Sequence, residues 1–307
     1  DRIKNTNLSI TEKCRISPKA YKMGGSRTFL EIDDYVTIDD LLRGIIIQSG
    51  NDASTALAEC LAGTEKDFAK LMNVYANRLG MNNTNFTNSS GWPDENHYSS
   101  VYDLAILSNS LVKEFPNLYN YFAMKEFTYN DITQPNRNKL LGRDSRVDGL
   151  KTGYTKSAGY CIVVSGKQKG MRLIVVIMGA ESVSARERQA QALLNYGFRF
   201  YETHQVYGAR EPVTEVKVWK GALDTLKVGL GHDLYVTVPR GTYKDLEADL
   251  AVDRQTLAPV RAGEPKGELR ISLGEELVAR RELLALHGVT EGNIWRRVSD
   301  HVKLLFE

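Results

Sequence analysis

The chain has 307 residues, of which 42% are hydrophobic and 25% charged, and its formal net charge at pH 7 is +2. This length allows two domains, each with a sizeable core. The even charge balance, without a basic run interleaved with aromatics, argues against a nucleic-acid-binding protein. No apolar run is long enough to span a bilayer.

The three cysteines, Cys14, Cys60 and Cys161, form no CxxC pair and have no histidine at metal-ligand spacing. The cysteines therefore predict no metal site, and no cofactor is expected. Cys60 falls in a helical pattern and Cys161 inside an apolar strand pattern, which predicts buried free thiols. The cysteines therefore do not identify a compartment.

The first two hundred or so residues predict a helical cluster followed by a pair of strands. Residues 1–34 are expected to be irregular, with short strands near 9–16 and 28–32. Thr37 is a suitable helix cap, and the apolar run that follows it predicts a core helix ending at Gln48-Ser49-Gly50-Asn51. Further helices are predicted over 52–61, 65–79, 101–115 and 184–200, a polar loop over 81–98, and strands over 159–165 and 172–178. This order of elements indicates an α/β or α+β domain.

Beyond residue 201 the composition changes. Asparagine is frequent up to Asn195 and afterwards occurs only at Asn293. Short alternating runs separated by turns replace the helical pattern, which predicts a small antiparallel sandwich. These predicted strands cover residues 214–219, 233–238, 246–252, 268–273 and 277–286.

The end of the chain predicts a basic amphipathic helix. Its apolar face would consist of Ile294, Trp295, Val298, Val302, Leu305 and Phe306. Such a helix, with aromatic residues on its apolar face, can lie in a membrane interface. The alternative is a helix folded back on its own domain.

Two short motifs could carry chemistry. Lys151-Thr152-Gly153 offers an ammonium, a hydroxyl and a position without a side chain, which on an edge strand could hold a substrate carboxylate and let an extended peptide pair alongside. Taken alone, it is more typical of a surface loop. Ser49-Gly50-Asn51, between two helices, supplies a hydroxyl and a carboxamide on a tight turn. Lys-Thr-Gly matches one element of the serine β-lactamase and penicillin-binding protein signature, and Ser-Gly-Asn is related to its Ser-Asp-Asn element.

At these residues the chain resembles the D-alanyl-D-alanine carboxypeptidases, the low-molecular-mass penicillin-binding proteins of bacterial cell-wall maturation. The resemblance covers nearly the whole chain. It includes residues 43–53, Asn136-Arg137-Asn138, Val147-Asp148-Gly149 and residues 197–200. It implies an α+β peptidase domain of the serine β-lactamase and DD-peptidase type over residues 1–202, a β-sandwich domain over 203–288 and a membrane-associating helix over 289–307.

One element of the family signature is missing. The family nucleophile is the serine of a Ser-x-x-Lys element upstream of the Ser-Gly-Asn turn, and no such element precedes Ser49. Ser110-Leu111-Val112-Lys113 lies after the turn, near the end of a predicted helix, and is interpreted as an ordinary helical pair. We therefore expect the peptidase domain to be N-terminally incomplete and these residues alone to be inactive.

The resemblance also implies roles for individual residues. Ser49 would relay a proton to the leaving D-alanine, and Lys151 would hold Ser49 and the substrate. The substrate-binding residues would be Asn51 on the penultimate peptide group, Thr152 and Arg186 on the terminal carboxylate, Gly153 beside the substrate backbone, and Tyr154 through its N–H in an oxyanion hole. Arg186 could instead be an exposed member of a charged helix. These assignments require Ser49 and Lys151 to face each other across one cleft.

The implied activity is hydrolysis of the terminal D-alanine from peptidoglycan stem pentapeptides through an acyl-enzyme, with β-lactams as acylating inhibitors. Two alternatives remain: a non-catalytic protein that binds peptidoglycan or β-lactams or acts as a scaffold, and a serine β-lactamase of related fold. The expected location is the periplasm, on the outer face of the cytoplasmic membrane.

Overall fold

The computed structural model describes residues 2–253 and 255–304. The chain divides into two compact units, Asp1–Phe198 and Arg199–Glu307. The three domain ranges given above stay predictions. Among the described residues, no helix is both long and apolar enough to cross a membrane.

The first unit is built from helices and antiparallel strands. Its helices are α1 (Arg2–Asn5), α2 (Pro18–Tyr21), α3 (Ile38–Arg43), α4 (Asn51–Ala62), α5 (Glu65–Leu79), α6 (Val101–Glu114), α7 (Pro116–Tyr119), α8 (Leu140–Arg143) and α9 (Val183–Phe200). Its strands are β1 (Lys13–Arg15), β2 (Tyr35–Thr37), β3 (Glu126–Tyr129), β4 (Ile132–Pro135), β5 (Val147–Thr155), β6 (Gly159–Gln168) and β7 (Met171–Ala180).

Local capping explains most helix starts. The Thr37 hydroxyl accepts from the Asp40 N–H at 3.0 Å and opens α3. Thr64 and Ser100 cap α5 and α6 in the same way, and Gly80 closes α5 in the left-handed conformation. These predicted boundaries are confirmed because each depends only on neighbouring residues.

Two features of the first unit position the site. The buried core between β1, α2, α3 and α4, which includes Ile16, Leu41 and Leu57, fixes the helices on either side of the Ser49 turn. Strands β5, β6 and β7 form an antiparallel sheet in that order, so β5 is an edge strand. An edge strand can accept an additional extended chain.

Two sequence predictions for this unit are wrong. Cys14 and Cys60 are joined in a disulfide across 46 residues of sequence, and only Cys161 is free among the described cysteines. The spacing alone did not show that β1 packs beside α4. No strand forms over residues 28–32; the backbone N–H groups of Thr28, Phe29 and Leu30 instead donate to the buried Asp52 carboxylate.

The second unit contains two sheets. Its strands are β8 (Tyr201–Tyr207), β9 (Pro212–Trp219), β10 (Thr225–Gly229), β11 (Leu234–Pro239), β12 (Leu246–Val252), β13 (Thr256–Leu257), β14 (Pro265–Leu273) and β15 (Glu276–Ala285). One sheet has the order β12-β14-β15-β10-β9-β13, and the other pairs β11 with β8. Val236 from the small sheet packs with Leu269 and Leu283 from the large one. The predicted sandwich is confirmed.

The final helix, α10 (Ile294–Leu304), docks through polar groups. The Asp300 carboxylate, 8% exposed, accepts from the Lys220 N–H at 2.7 Å, and Arg296 pairs with Asp224. The opposite, apolar face carries Trp295 and Val298, which are 81% and 57% exposed. The predicted Leu305 and Phe306 contributions lie outside the described residues.

Candidate active site

The Ser49 turn follows an unusual helix end. After α3, residues Gly44–Gln48 form a π-helical turn, a feature often found at functional sites. Ser49 then adopts the left-handed conformation, with φ of 64°, which is uncommon for a residue with a side chain. The Arg137 side chain donates to the Gln48 carbonyl at 2.8 Å and braces this turn from the other side.

Lys151 lies on the edge strand β5, and its ammonium reaches the turn directly. Its Nζ donates to the Ser49 Oγ at 2.7 Å and to the Thr152 carbonyl at 2.9 Å. The hydroxyl and the lysine, 102 residues apart in sequence, therefore form one polar pair across a cleft.

The surroundings of Lys151 disfavour its charged form. Burial of the ammonium is the main cause, and the nearby cations Arg137 and Arg186 add repulsion, so that the pKa of Lys151 is lowered to about 7. An amine with this pKa exists in both protonation states near neutral pH. It is therefore suited to accept and return a proton.

Asn51 is held by the loop in front of it. Its Nδ2 donates to the Gly24 carbonyl at 2.8 Å, and its N–H donates to the Ser26 carbonyl. The next residue, Asp52, is fully buried and accepts from the Thr28, Phe29 and Leu30 N–H groups.

Close packing around Gly50 fixes this loop against the turn. A Cβ at Gly50 would lie 2.2 Å from the Thr28 hydroxyl. The absence of a side chain therefore lets the loop press against the Ser-Gly-Asn turn.

The strand beyond Lys151 presents three further predicted residues. Thr152 is buried, with 8% of its surface exposed, whereas Tyr154 is 57% exposed and packs on Tyr160 with ring centroids 4.4 Å apart. A Cβ on Gly153 would meet nothing closer than 3.8 Å, at Cys161. The fold itself therefore does not require glycine there.

Arg186 lies in the first turns of α9 and is 6% exposed, so the alternative of an exposed helical arginine is excluded. Its Nη1 donates to the Gly153 and Cys161 carbonyls, each at 3.2 Å, while its buried Nε has no hydrogen-bond partner. Burial lowers the pKa of the guanidinium from its usual value. Arg186 thus braces β5 and β6 and places a positive charge beside Gly153.

These side chains line one cleft of about 990 Å³. All seven residues proposed from the sequence border it: Ser49, Asn51, Lys151, Thr152, Gly153, Tyr154 and Arg186. The cleft also includes Arg137, Cys161 and Trp92, which sequence reasoning did not assign to the site. In the sequence, Arg137 was noted only as part of a segment shared with the family, and Trp92 only as part of the polar loop over residues 81–98.

Two other sequence features lie elsewhere. Ser110 donates to the Glu114 carboxylate at 2.6 Å within α6, and neither Ser110 nor Lys113 is among the residues that line the cleft. Within the described residues, no group of three or more histidine, cysteine or acidic side chains could hold a metal ion.

Comparison with known proteins identifies the class. Residues 1–182 match the D-alanyl-D-alanine carboxypeptidase family, and residues 201–291 match the C-terminal domain of penicillin-binding protein 5. The crystal structure of penicillin-binding protein 5 from Haemophilus influenzae superposes with a TM-score of 0.86 at 35% identity, covering 94% of this chain and 86% of that one.

Curated relatives agree with this class. The D-alanyl-D-alanine carboxypeptidase DacA of Escherichia coli is 39% identical over 92% of this chain and 71% of its own length. DacF of Bacillus subtilis is 36% identical over 91% of this chain and 73% of its own length. The protein belongs to the D-alanyl-D-alanine carboxypeptidase family of low-molecular-mass penicillin-binding proteins, and the resemblance identified from the sequence is confirmed.

Proposed function

We propose that the cleft acts in a serine D-Ala-D-Ala carboxypeptidase, with Ser49 and Lys151 as its proton-transfer pair. The observation that carries this proposal is the 2.7 Å contact between the Lys151 ammonium and the Ser49 hydroxyl. Ser49 passes a proton to the leaving D-alanine, and Lys151, whose pKa of about 7 allows it to lose and regain a proton, restores it. The attacking serine belongs to a Ser-x-x-Lys element.

The remaining residues bind the substrate as an added strand beside β5. The exposed backbone of Gly153 leaves room for the substrate chain, and the N–H of Tyr154 serves the oxyanion hole. Thr152 and the positive charge of Arg186 hold the terminal carboxylate. Asn51 binds the peptide group that precedes the penultimate D-alanine.

We further propose that residues 1–307 alone do not form an acyl-enzyme. Their only Ser-x-x-Lys sequence is Ser110 to Lys113, whose serine hydrogen-bonds to Glu114 within α6. Stem peptides and β-lactams would then bind these residues without turnover.

A labelling experiment tests this function. Incubation of residues 1–307 with a fluorescent penicillin is expected to leave no covalent label after denaturation. The same residues, joined to a family Ser-x-x-Lys segment at their N-terminus, are expected to be labelled stoichiometrically and to release D-alanine from a D-Ala-D-Ala peptide.

Three outcomes would contradict these proposals. Stoichiometric labelling of residues 1–307 would overturn the inactivity, and absence of labelling in both proteins would overturn the carboxypeptidase assignment. Faster turnover of a cephalosporin than of the D-Ala-D-Ala peptide would favour the β-lactamase alternative.

The location we propose is the periplasm, with α10 lying on the outer face of the cytoplasmic membrane. Two observations support it. The Cys14–Cys60 disulfide is typical of proteins from oxidising compartments. The polar face of α10 is used for docking on its own unit, which leaves Ile294, Trp295 and Val298 exposed together.

The double variant Trp295→Glu, Val298→Glu is expected to bind vesicles containing phosphatidylglycerol at least about tenfold more weakly, because it removes apolar area and adds negative charge. Co-sedimentation measures the bound fraction. Tyr235→Glu is the matched control, because Tyr235 is an exposed aromatic residue, 53% accessible, on β11. Equal binding of the double variant and the control would exclude the anchoring role.

A further inference from the structure

A second, smaller cavity lies beside the catalytic cleft. Its volume is about 300 Å³, and it is lined mainly by α8 and by the loop that precedes this helix. Asn136 and Lys139 border both this cavity and the catalytic cleft, so the two spaces adjoin at these residues. A ligand in the cleft can therefore extend into the second space. The catalytic roles proposed above do not use it.

The second cavity, here called the basic cavity, is surrounded by positive charge. Lys125, Lys139 and Arg143 line it, and of the described residues no acidic one does so. Arg143 pairs with Glu187 at 2.7 Å, yet its side chain remains 60% exposed. Lys125 and Lys139 are exposed, and within residues 2–253 and 255–304 neither ammonium has a carboxylate partner. Cations that surround a concave space in this way favour an anionic ligand.

The backbone beneath the basic cavity is fixed, while the cavity itself is left open. The buried Asn136 accepts from the Asn138 N–H at 2.8 Å through its Oδ1 and donates to the Met124 carbonyl at 2.8 Å through its Nδ2. A Cβ at Gly142 would meet no atom within 4 Å, so this position leaves the space unfilled. A pre-organised backbone reduces the entropy that is lost when a ligand binds.

The basic cavity lies on the side of the residue that leaves. In the proposed function, the substrate passes Tyr154 with its scissile carbonyl and ends at Thr152 with its carboxylate, so it runs antiparallel to β5. The same direction leads on to Gly149, whose carbonyl accepts from the Asn138 Nδ2 at 3.1 Å. Asn138 lines the basic cavity. The cavity therefore adjoins the end of the substrate that is released.

From this arrangement we propose that the basic cavity binds an acidic side chain on the leaving residue. The cleft then accepts peptides in which D-alanine is followed by a D-amino acid with a second carboxylate. The inference rests on the proposed function, which places the terminal carboxylate at Thr152 and Arg186. The second carboxylate gains charge-assisted hydrogen bonds from Lys139 and Lys125. A neutral amide of the same size gains less, because it carries no charge.

The test compares two tripeptides of equal size on the 307-residue chain by isothermal titration calorimetry at low ionic strength. Acetyl-glycyl-D-Ala-D-Glu is expected to bind about tenfold more tightly than acetyl-glycyl-D-Ala-D-Gln, which corresponds to ~1.4 kcal/mol. The double variant Lys125→Gln, Lys139→Gln is expected to lose this preference and to bind the D-Gln peptide as before. Lys167→Gln, Lys169→Gln is the matched control, because it removes two charges from exposed positions that line neither space.

Gly142→Leu tests the cavity without changing any charge. Gly142 lies within α8, and the space around it is open, so leucine is accommodated and fills the basic cavity. This variant is also expected to lose the preference for D-Glu over D-Gln. Circular dichroism checks that the fold is retained.

The outcomes separate the inference from the function on which it rests. A D-Glu preference that is absent from the unmodified chain, or that survives in the double lysine variant or in Gly142→Leu, overturns the role of the basic cavity. Its loss in the control as well would show an effect of net charge alone and would also overturn that role. Acetyl-glycyl-D-Ala-D-Ala and acetyl-glycyl-L-Ala-L-Ala test the proposed function by itself. If both bind the unmodified chain equally, recognition of D-Ala-D-Ala fails, whatever the effect of the basic cavity.

Discussion

Lys151→Met is expected to make the protein more stable below pH 7 while disabling its chemistry. In the folded protein the pKa of Lys151 is lowered from 10.5 to about 7, mainly by burial. Keeping the ammonium charged in the cleft therefore costs stability, and methionine removes that cost at similar size. Since a tenfold change in a protonation equilibrium corresponds to ~1.4 kcal/mol, we expect a gain of about 3 kcal/mol at pH 6, after allowance for the lost hydrogen bonds.

The sign of the pH dependence follows from proton uptake. Between pH 7 and 10.5 the unfolded chain holds a proton on Lys151 that the folded protein has lost. The free energy of unfolding of the unmodified protein therefore rises with pH between pH 7 and 10.5. The extra stability of Lys151→Met correspondingly shrinks and is lost by about pH 10.5. Denaturant unfolding at pH 6, 8 and 10 measures this. Lys156→Met, at an exposed lysine in the turn between β5 and β6, is the control.

Activity gives the second readout for Lys151→Met. In protein joined to a Ser-x-x-Lys segment, the variant is expected to acylate with penicillin at least about a hundredfold more slowly, because the Ser49 hydroxyl loses its proton-transfer partner. Unchanged acylation would remove Lys151 from the mechanism. If the free energy of unfolding of Lys151→Met at pH 6 is no higher than that of the unmodified protein, burial does not destabilise the charged form of Lys151.

Asp52→Ala is expected to lower the free energy of unfolding of the first unit by about 3–5 kcal/mol. Asp52 is fully buried, and its carboxylate accepts from the Thr28, Phe29 and Leu30 N–H groups at 2.8 to 3.3 Å. Alanine would leave these donors buried without partners. Urea unfolding followed by circular dichroism measures the loss.

Glu95→Ala, at an exposed carboxylate in the loop between α5 and α6, is the control for Asp52→Ala and is expected to change stability by less than about 0.5 kcal/mol. Similar effects of the two substitutions would show that the buried carboxylate does not organise residues 28–30. Partial recovery in Asp52→Asn would be consistent with one retained acceptor.

Local signals in the sequence were sufficient for most of the helices. The caps Thr37, Thr64 and Ser100 and the stop at Gly80 act through bonds within a few residues, so their effects can be predicted without tertiary structure. In the second unit, strands β8, β10 and β13 were missed because their formation depends on partners elsewhere in the sandwich. The disulfide was missed because tertiary packing, and not a local sequence signal, brings Cys14 beside Cys60.

The site was predictable where its residues form short motifs. Ser49 with Asn51, and Lys151 with the two residues after it, were identified by residue type and order together with the resemblance to the family signature. Arg137 and Trp92 could not be assigned in this way, since their places at the cleft come from packing against Gln48 and against the Gly24–Gly25 backbone. The left-handed conformation of Ser49 also had no sequence signal, because serine rarely adopts it.

The Cys14–Cys60 bond encloses one half of the catalytic machinery and not the other. Gly25, Ser49 and Asn51 all lie inside the covalent ring of chain that it closes, whereas Lys151 lies far outside it. By the chain-entropy estimate a ring of this size restrains the unfolded state by about 4 kcal/mol. Reducing agents would therefore lower the free energy of unfolding of the first unit by about this amount, so that the population of protein with an intact substrate cleft becomes sensitive to the redox state of the medium.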